Sequence, residues 1–221
     1  MRLAIACRRQ PRARTIARDP CHQAATGSAE LQFRDSACEN SVSCLHLRSR
    51  MRLKRPPRLD KFEYRGLYRY FLTICTENRV PAFADLAAAR QVITHFLQSA
   101  TRFGFAVSAY CAMPDHLHAL LHGTRADADF KLFVRRWKQQ SGFRWKRRTG
   151  KTLWQQGYFD RVLREEEPDL LVIAYIARNP IAAGFAAKPD DYPLFGSSRY
   201  TVEEIRRALA EYESRVPWSR N

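Results

Sequence analysis

The stretch from Phe105 to His122 most narrows what this chain can fold into. It reads Phe-Ala-Val-Ser-Ala-Tyr-Cys-Ala, then Met113-Pro114-Asp115, then His-Leu-His-Ala-Leu-Leu-His. Both flanks are apolar and rich in strand formers, and the proline breaks the ladder between them. The pattern therefore predicts two strands, about 105–112 and 116–122, joined by a turn and paired antiparallel. On the second strand His116 and His118 are two residues apart. They point to the same face, about 7 Å apart along the chain, with Leu117 turned back into a core. Two imidazoles so placed can share a metal ion, but an ion needs three or four ligands. His122 lies on the same face near the strand end and reads as incidental.

The flanking sequence supplies a frame. Leu67 to Thr76 is β-branched and aromatic and predicts a first strand. Leu86, Ala89, Val92, Ile93, Phe96 and Leu97 recur at helical spacing over 85–103, with Asp85 as N-cap and Gly104 as stop. A second helix is expected over about 127–147. It carries Lys131, Arg135, Arg136, Lys138, Arg144, Lys146 and Arg147, with Trp137 and Trp145 as residues that could stack on bases. The same pattern also fits an amphipathic helix with a solvated basic face. A fourth strand is expected within 153–164 and a third helix over 165–178, with Pro168 in its first turn and Asn179-Pro180 closing it. Thr201 to Ser214 predicts a final helix opened by a Thr201/Glu204 capping box. The order β-α-β-β-α-β followed by helices predicts an α+β fold. It is a ferredoxin-like split β-α-β sandwich, an antiparallel sheet with helices on one face plus C-terminal helices.

Composition narrows the partners. The formal charge of +16 favours a polyanion, nucleic acid ahead of membrane. No apolar run reaches the roughly 18 residues of a membrane span, and the arginine-broken N-terminus is not a secretory signal. A cytoplasmic location is expected. The six cysteines form no C-x-x-C pair, and Cys75 and Cys111 read as small buried hydrophobes. Residues 1–50 lack lysine and show no period. They are expected to be disordered, or an extension created by a misplaced start, with Met51 the true first residue. Residues 51–200 then form the domain, and 201–221 a C-terminal helix and tail.

The third helix offers the missing chemistry. Tyr175 and Asn179 are four apart and share a helix face. Asn179 is either a helix cap or, through its amide oxygen, a third ligand. His116, His118 and Asn179 together make an N,N,O set suited to Mg²⁺ or Mn²⁺, zinc being the other fit. A phosphate polarised there could be attacked by Tyr175 to give a 5′-phosphotyrosine ester. Tyr158 is the competing nucleophile. Arg161, Arg164, Arg178, Arg135 and Lys138 are candidate DNA contacts.

Three segments carry a resemblance: Met113-Pro-Asp-His-Leu-His118, Trp154-x-x-Gly-Tyr-Phe-Asp-Arg-x-Leu-Arg164, and Tyr175-Ile-Ala-Arg-Asn-Pro-Ile-Ala-Ala-Gly184. In this order they resemble the REP-associated tyrosine transposases, members of the HUH single-tyrosine transposases of small insertion sequences. The likeness covers roughly 59–198. It departs at Asp115, where many relatives carry asparagine. The resemblance implies a ferredoxin-like fold, a divalent metal held by His116 and His118, Tyr175 as nucleophile, and Asn179 at the polar-ligand position. It further implies single-stranded or hairpin DNA from repetitive extragenic palindromes as substrate, and a monomer or homodimer. The rival reading is a non-catalytic ferredoxin-like nucleic-acid-binding module, whose sheet should expose stacking aromatics.

Overall fold

The β-branched, aromatic run that opens the organised sequence is strand β1 (Arg69–Cys75) in the computed structural model, which describes residues 62–215. The expectations for residues 1–50 and for a start at Met51 fall outside the described residues. Strands β2 (Phe105–Met113) and β3 (His116–Gly123) follow as foreseen, with Met113 opposite His116 across the two-residue turn Pro114-Asp115. Proline presets φ for such a turn. Strand β4 (Phe159–Val162) and a short β5 (Phe195–Ser197) complete a five-stranded antiparallel sheet in the order β4-β1-β3-β2-β5. The histidine strand is therefore central.

Helices α1 (Leu86–Arg102) and α2 (Phe130–Thr149) cover one face. Tyr70 stacks on Phe130 with centroids 4.1 Å apart, and Phe96 meets Trp137 edge-on at 4.9 Å. Trp137 is fully buried there, so it belongs to the core and not to a base-stacking surface. The opposite face, bearing Phe71, Thr73, His116 and His118, is covered by α3 (Asp169–Ala182). Helix α4 (Val202–Arg215) packs outside α3, with Ala174 against Ala208 and Leu209.

Several boundaries differ from the sequence expectation, each for a local reason. Helix α2 starts at Phe130 because Asp129, not Asp127, caps it, its carboxylate accepting from Leu132 N–H at 2.8 Å. Strand β4 is only Phe159–Val162. Before it, Leu153 to Tyr158 run as a loop that touches the sheet through a single bridge of Trp154 to Thr76. Helix α3 begins at Asp169, with Pro168 as its N-cap, and continues through Pro180 to Ala182. Pro180 has no N–H for the carbonyl of Ile176. The Asn179 side-chain amide donates instead, at 3.5 Å to Ile176 and 2.8 Å to the Tyr175 carbonyl. The Thr201/Glu204 capping box forms as expected.

A buried carboxylate fixes where α3 lies. Asp169, its first residue, accepts from Arg69 Nη1 at 2.6 Å, and its other oxygen is 2.9 Å from His122 Nε2, off the line of a hydrogen bond. Arg69 and His122 are direct partners in the β1–β3 register. Arg69 also donates to the carbonyls of Glu167 (2.7 Å), Glu165 (3.0 Å) and Arg164, tying down the turn before the helix. Burial pushes the His122 imidazole below its ordinary pKa, against the upward pull of Asp169. A negative charge at a helix N-terminus is also favoured by the helix dipole.

Two stability outcomes follow from this packing. Asp169→Asn leaves Arg69 and His122 without their shared anion and should lower unfolding free energy by about 3 kcal/mol in urea titrations. At Gly123 an added Cβ would stand 1.9 Å from the Gly66 carbonyl oxygen. Gly123→Ala should therefore cost about 1–3 kcal/mol through forced displacement of the bend at Gly66, read as a lowered melting temperature.

Candidate metal and nucleophile site

The β1–β3 register sets Thr73 opposite His118 and Cys75 opposite His116 on the α3 face. His118 is fully buried and His116 nearly so. Their Nε2 atoms converge to 3.0 Å. Each outer nitrogen is held: His116 Nδ1 lies 2.6 Å from Asp115 Oδ1, and His118 Nδ1 lies 2.8 Å from Thr73 Oγ1. Asp115 is itself 3.2 Å from the Arg79 guanidinium. Burial raises the Asp115 pKa, but the bond to His116 and the charge of Arg79 outweigh it and hold the carboxyl below its ordinary value. It is a carboxylate at neutral pH, so His116 Nδ1 donates to it, and in the neutral ring His116 Nε2 is then the lone-pair nitrogen.

One proton then satisfies the chain without an ion. His118 Nε2–H donates to His116 Nε2, while the Thr73 hydroxyl donates to His118 Nδ1. When the Thr73 hydroxyl instead accepts, His118 Nε2 also carries a lone pair. Two donors each about 2.1 Å from an octahedral ion lie about 3.0 Å apart. The separation observed equals that spacing, so the pair fits a divalent cation. Among the described residues no cluster of three His, Cys, Asp or Glu side chains could hold a metal. Among the described residues, a third protein ligand would be of another type.

Tyr175 projects from α3 toward His118. Its ring centroid is 5.8 Å from that of His118 and 5.6 Å from that of Phe71, with Tyr212 of α4 at 6.5 Å. Asn179 lies one turn on, buried, with its amide nitrogen engaged by helix carbonyls. Tyr158 sits elsewhere. Its ring packs on Phe130 at 6.1 Å and under Lys138 Nζ at 5.9 Å, so it belongs to the α2 side of the sheet.

The five candidate DNA contacts are scattered. Arg161 pairs with Glu167, Arg178 lies 3.5 Å from Glu213, and Arg164 lies 3.9 Å from Glu166. Lys138 Nζ donates to the carbonyls of Gln155 (2.9 Å) and Gly157 (2.6 Å), and Arg135 is exposed on α2. Sequence reasoning missed Thr73, whose role appears only once register pairs it with His118. It also passed over Asp115, although a carboxylate directly before His116 was a readable signal. His122 is no incidental residue, since it contacts Asp169.

Comparison with known proteins gives the family. A protein of Haemophilus influenzae that carries the name REP-associated tyrosine transposase is 22% identical over 147 residues, 62% of this chain and 83% of its own. The solved structure of a REP-associated tyrosine transposase bound to a REP hairpin superposes with a TM-score of 0.51 at 21% identity, covering 63% of this chain and 82% of that one. That likeness shows a shared fold. The model of the family described as "Transposase IS200 like" matches residues 65–179, from the approach to β1 through Asn179. More than half of the sequence lies inside that match, and the chain belongs to the IS200-like transposases, a family of DNA-cleaving tyrosine enzymes.

Proposed function

We propose that this protein is a metal-dependent single-stranded DNA endonuclease and strand transferase that cleaves hairpin-flanked DNA through a 5′-phosphotyrosine link. The observation that carries the reading is the placement of the Tyr175 ring 5.8 Å from that of His118, whose Nε2 lies 3.0 Å from the Nε2 of His116. His116, His118 and Asn179 are the residues that would hold Mg²⁺ or Mn²⁺. When bound, such an ion supplies Lewis-acid polarisation of the scissile phosphate.

The chain's own groups do the rest. Asp115 and Thr73 orient the two rings and set which nitrogen faces the substrate. The Tyr175 oxygen attacks phosphorus and the bond from phosphorus to the 3′ oxygen breaks. The phenolic proton is lost and the departing 3′ oxygen gains one, so the balance closes. The new ester keeps the phosphodiester's bond energy, and attack by a free 3′-hydroxyl reverses the step to rejoin strands. A REP-like hairpin is the proposed substrate, in line with the DNA seen on the similar solved structure. A sheet-platform binding module is disfavoured, because β1, β2 and β3 are buried under helices on both faces.

Tyr175→Phe should abolish the covalent protein–DNA product on a labelled single-stranded hairpin oligonucleotide while leaving its affinity intact, and Tyr158→Phe should keep the product. A covalent product from Tyr175→Phe would overturn the assignment. EDTA should stop product formation and Mn²⁺ restore it. Thr73→Val should raise the Mn²⁺ needed by roughly 10- to 100-fold, because the ring of His118 loses its outer partner.

A further inference from the structure

Helix α2 carries eight Lys and Arg residues and no acid in its 20 residues. Along its C-terminal half runs a groove of about 400 Å³, within the roughly 300–1,000 Å³ of small-ligand pockets. Its floor is rigid. Leu153 and Trp154 are buried there, and the indole N–H of Trp154 donates to Ser141 Oγ at 2.9 Å. Gly142 keeps the helix side of the groove open, since no side chain fills the space before Trp154. Phe143 and Lys146 form the outer wall, and the Phe143 ring is 63% exposed with the Arg147 guanidinium 5.8 Å from its centroid.

A lone exposed phenylalanine means nothing. This one borders a groove on a helix whose only charges are cations, with Lys138 and Lys146 in the groove's own lining, and the groove floor is hydrogen-bonded to the end of β1. Leu153 accepts from Glu77 N–H at 2.8 Å, and Gln155 N–H donates to the Cys75 carbonyl at 3.1 Å. Cys75 stands opposite His116 in the β1–β3 register. The groove floor and His116 therefore adjoin the same end of β1, from opposite faces of the sheet.

We propose that the groove holds one unpaired base of the single-stranded segment flanking the hairpin, stacked on Phe143, with Lys146 on its phosphate. The proposal rests on the single-stranded DNA substrate proposed above. Stacking suits any base, because every base has a π-face, and an aromatic among cations matches a chain of alternating bases and phosphates. A duplex stem would meet only the cations, since its bases are already stacked.

The test uses the full chain and fluorescence anisotropy on two DNAs, a hairpin with a single-stranded tail and the same hairpin without one. Phe143→Ala should weaken tailed binding roughly 5- to 150-fold and leave untailed binding unchanged, while Phe143→Trp should retain tailed binding. Replacing tail bases one at a time by abasic sugars should reproduce the loss at one position in the wild type, with no further loss there in Phe143→Ala. Equal loss on both DNAs, or no loss on either, would overturn the groove and leave phosphate contact alone. Covalent product measured in parallel on the wild type separates the two ideas. Product without a Phe143 effect sinks only the groove, and a tail-specific Phe143 effect without product sinks only the nuclease.

Discussion

Asp169 joins three parts of the chain that are far apart in sequence. Its carboxylate is gripped by Arg69 on β1, 100 residues earlier, and touched by His122 on β3. Those two residues face each other across the central strand pair, so the start of α3 is anchored to the sheet face that carries His116 and His118. Tyr175 follows six residues later, about 9 Å along the helix axis at about 1.5 Å per residue. Its edge-on contact with Phe71 supplies a second anchor, and α4 closes over the outside. A helix fixed at one end and packed along its length has one height over the sheet. The approach of a phenol to two imidazoles depends on that height, and a slip of one turn would move Tyr175 by about 5 Å.

The imidazoles need a comparable restraint. A histidine ring turns freely about its terminal torsion unless its outer nitrogen is held. The turn that begins β3 provides one hold through Asp115. That turn is itself stapled to the exit of β1, because the Asp115 carbonyl accepts from Thr76 N–H at 2.9 Å and from the Thr76 hydroxyl at 3.0 Å. The second hold is Thr73, which reaches His118 only because antiparallel pairing sets the two opposite each other. The same strand pairing that builds the core therefore brings the two Nε2 atoms within 3.0 Å of each other.

These facts divide what could be read from the sequence from what could not. The alternation His116-Leu117-His118 has a period of two and is local, so the shared face and the buried Leu117 were legible. Tyr175 and Asn179 have a spacing of four and were legible for the same reason. The cap at Asp85 and the box at Thr201 are likewise local. Strand β5 was not legible, because Phe195-Gly-Ser has no period to detect. It exists because Gly196 leaves room for Tyr110, whose ring would lie 2.7 Å from a Cβ there. Trp137 was readable as apolar but not as inward, since α2 carries cations close to its whole circumference. The Arg69–Asp169–His122 contact joins three distant single residues and leaves no pattern at all.

The charge distribution ties the site to the surface. Around α3 the cations are matched: Arg161 with Glu167, Arg178 with Glu213, Arg69 with Asp169, and Arg79 with Asp115. Such pairs cancel at distances beyond a Debye length of about 8–10 Å and offer little pull on a distant polyanion. Helix α2, on the other side of the sheet, has no acid of its own to cancel its eight cations. Among the described residues 23 Lys and Arg stand against 17 Asp and Glu, and the eight cations of α2 exceed that net of +6, so the excess there is concentrated away from Tyr175. Attraction and chemistry are separated in space. The uncompensated cations lie on α2, while the buried histidine pair lies on the other face beside paired charges. An arginine placed beside that pair would compete with a cation for its nitrogens, and the pairing of the nearby arginines with acids removes that competition.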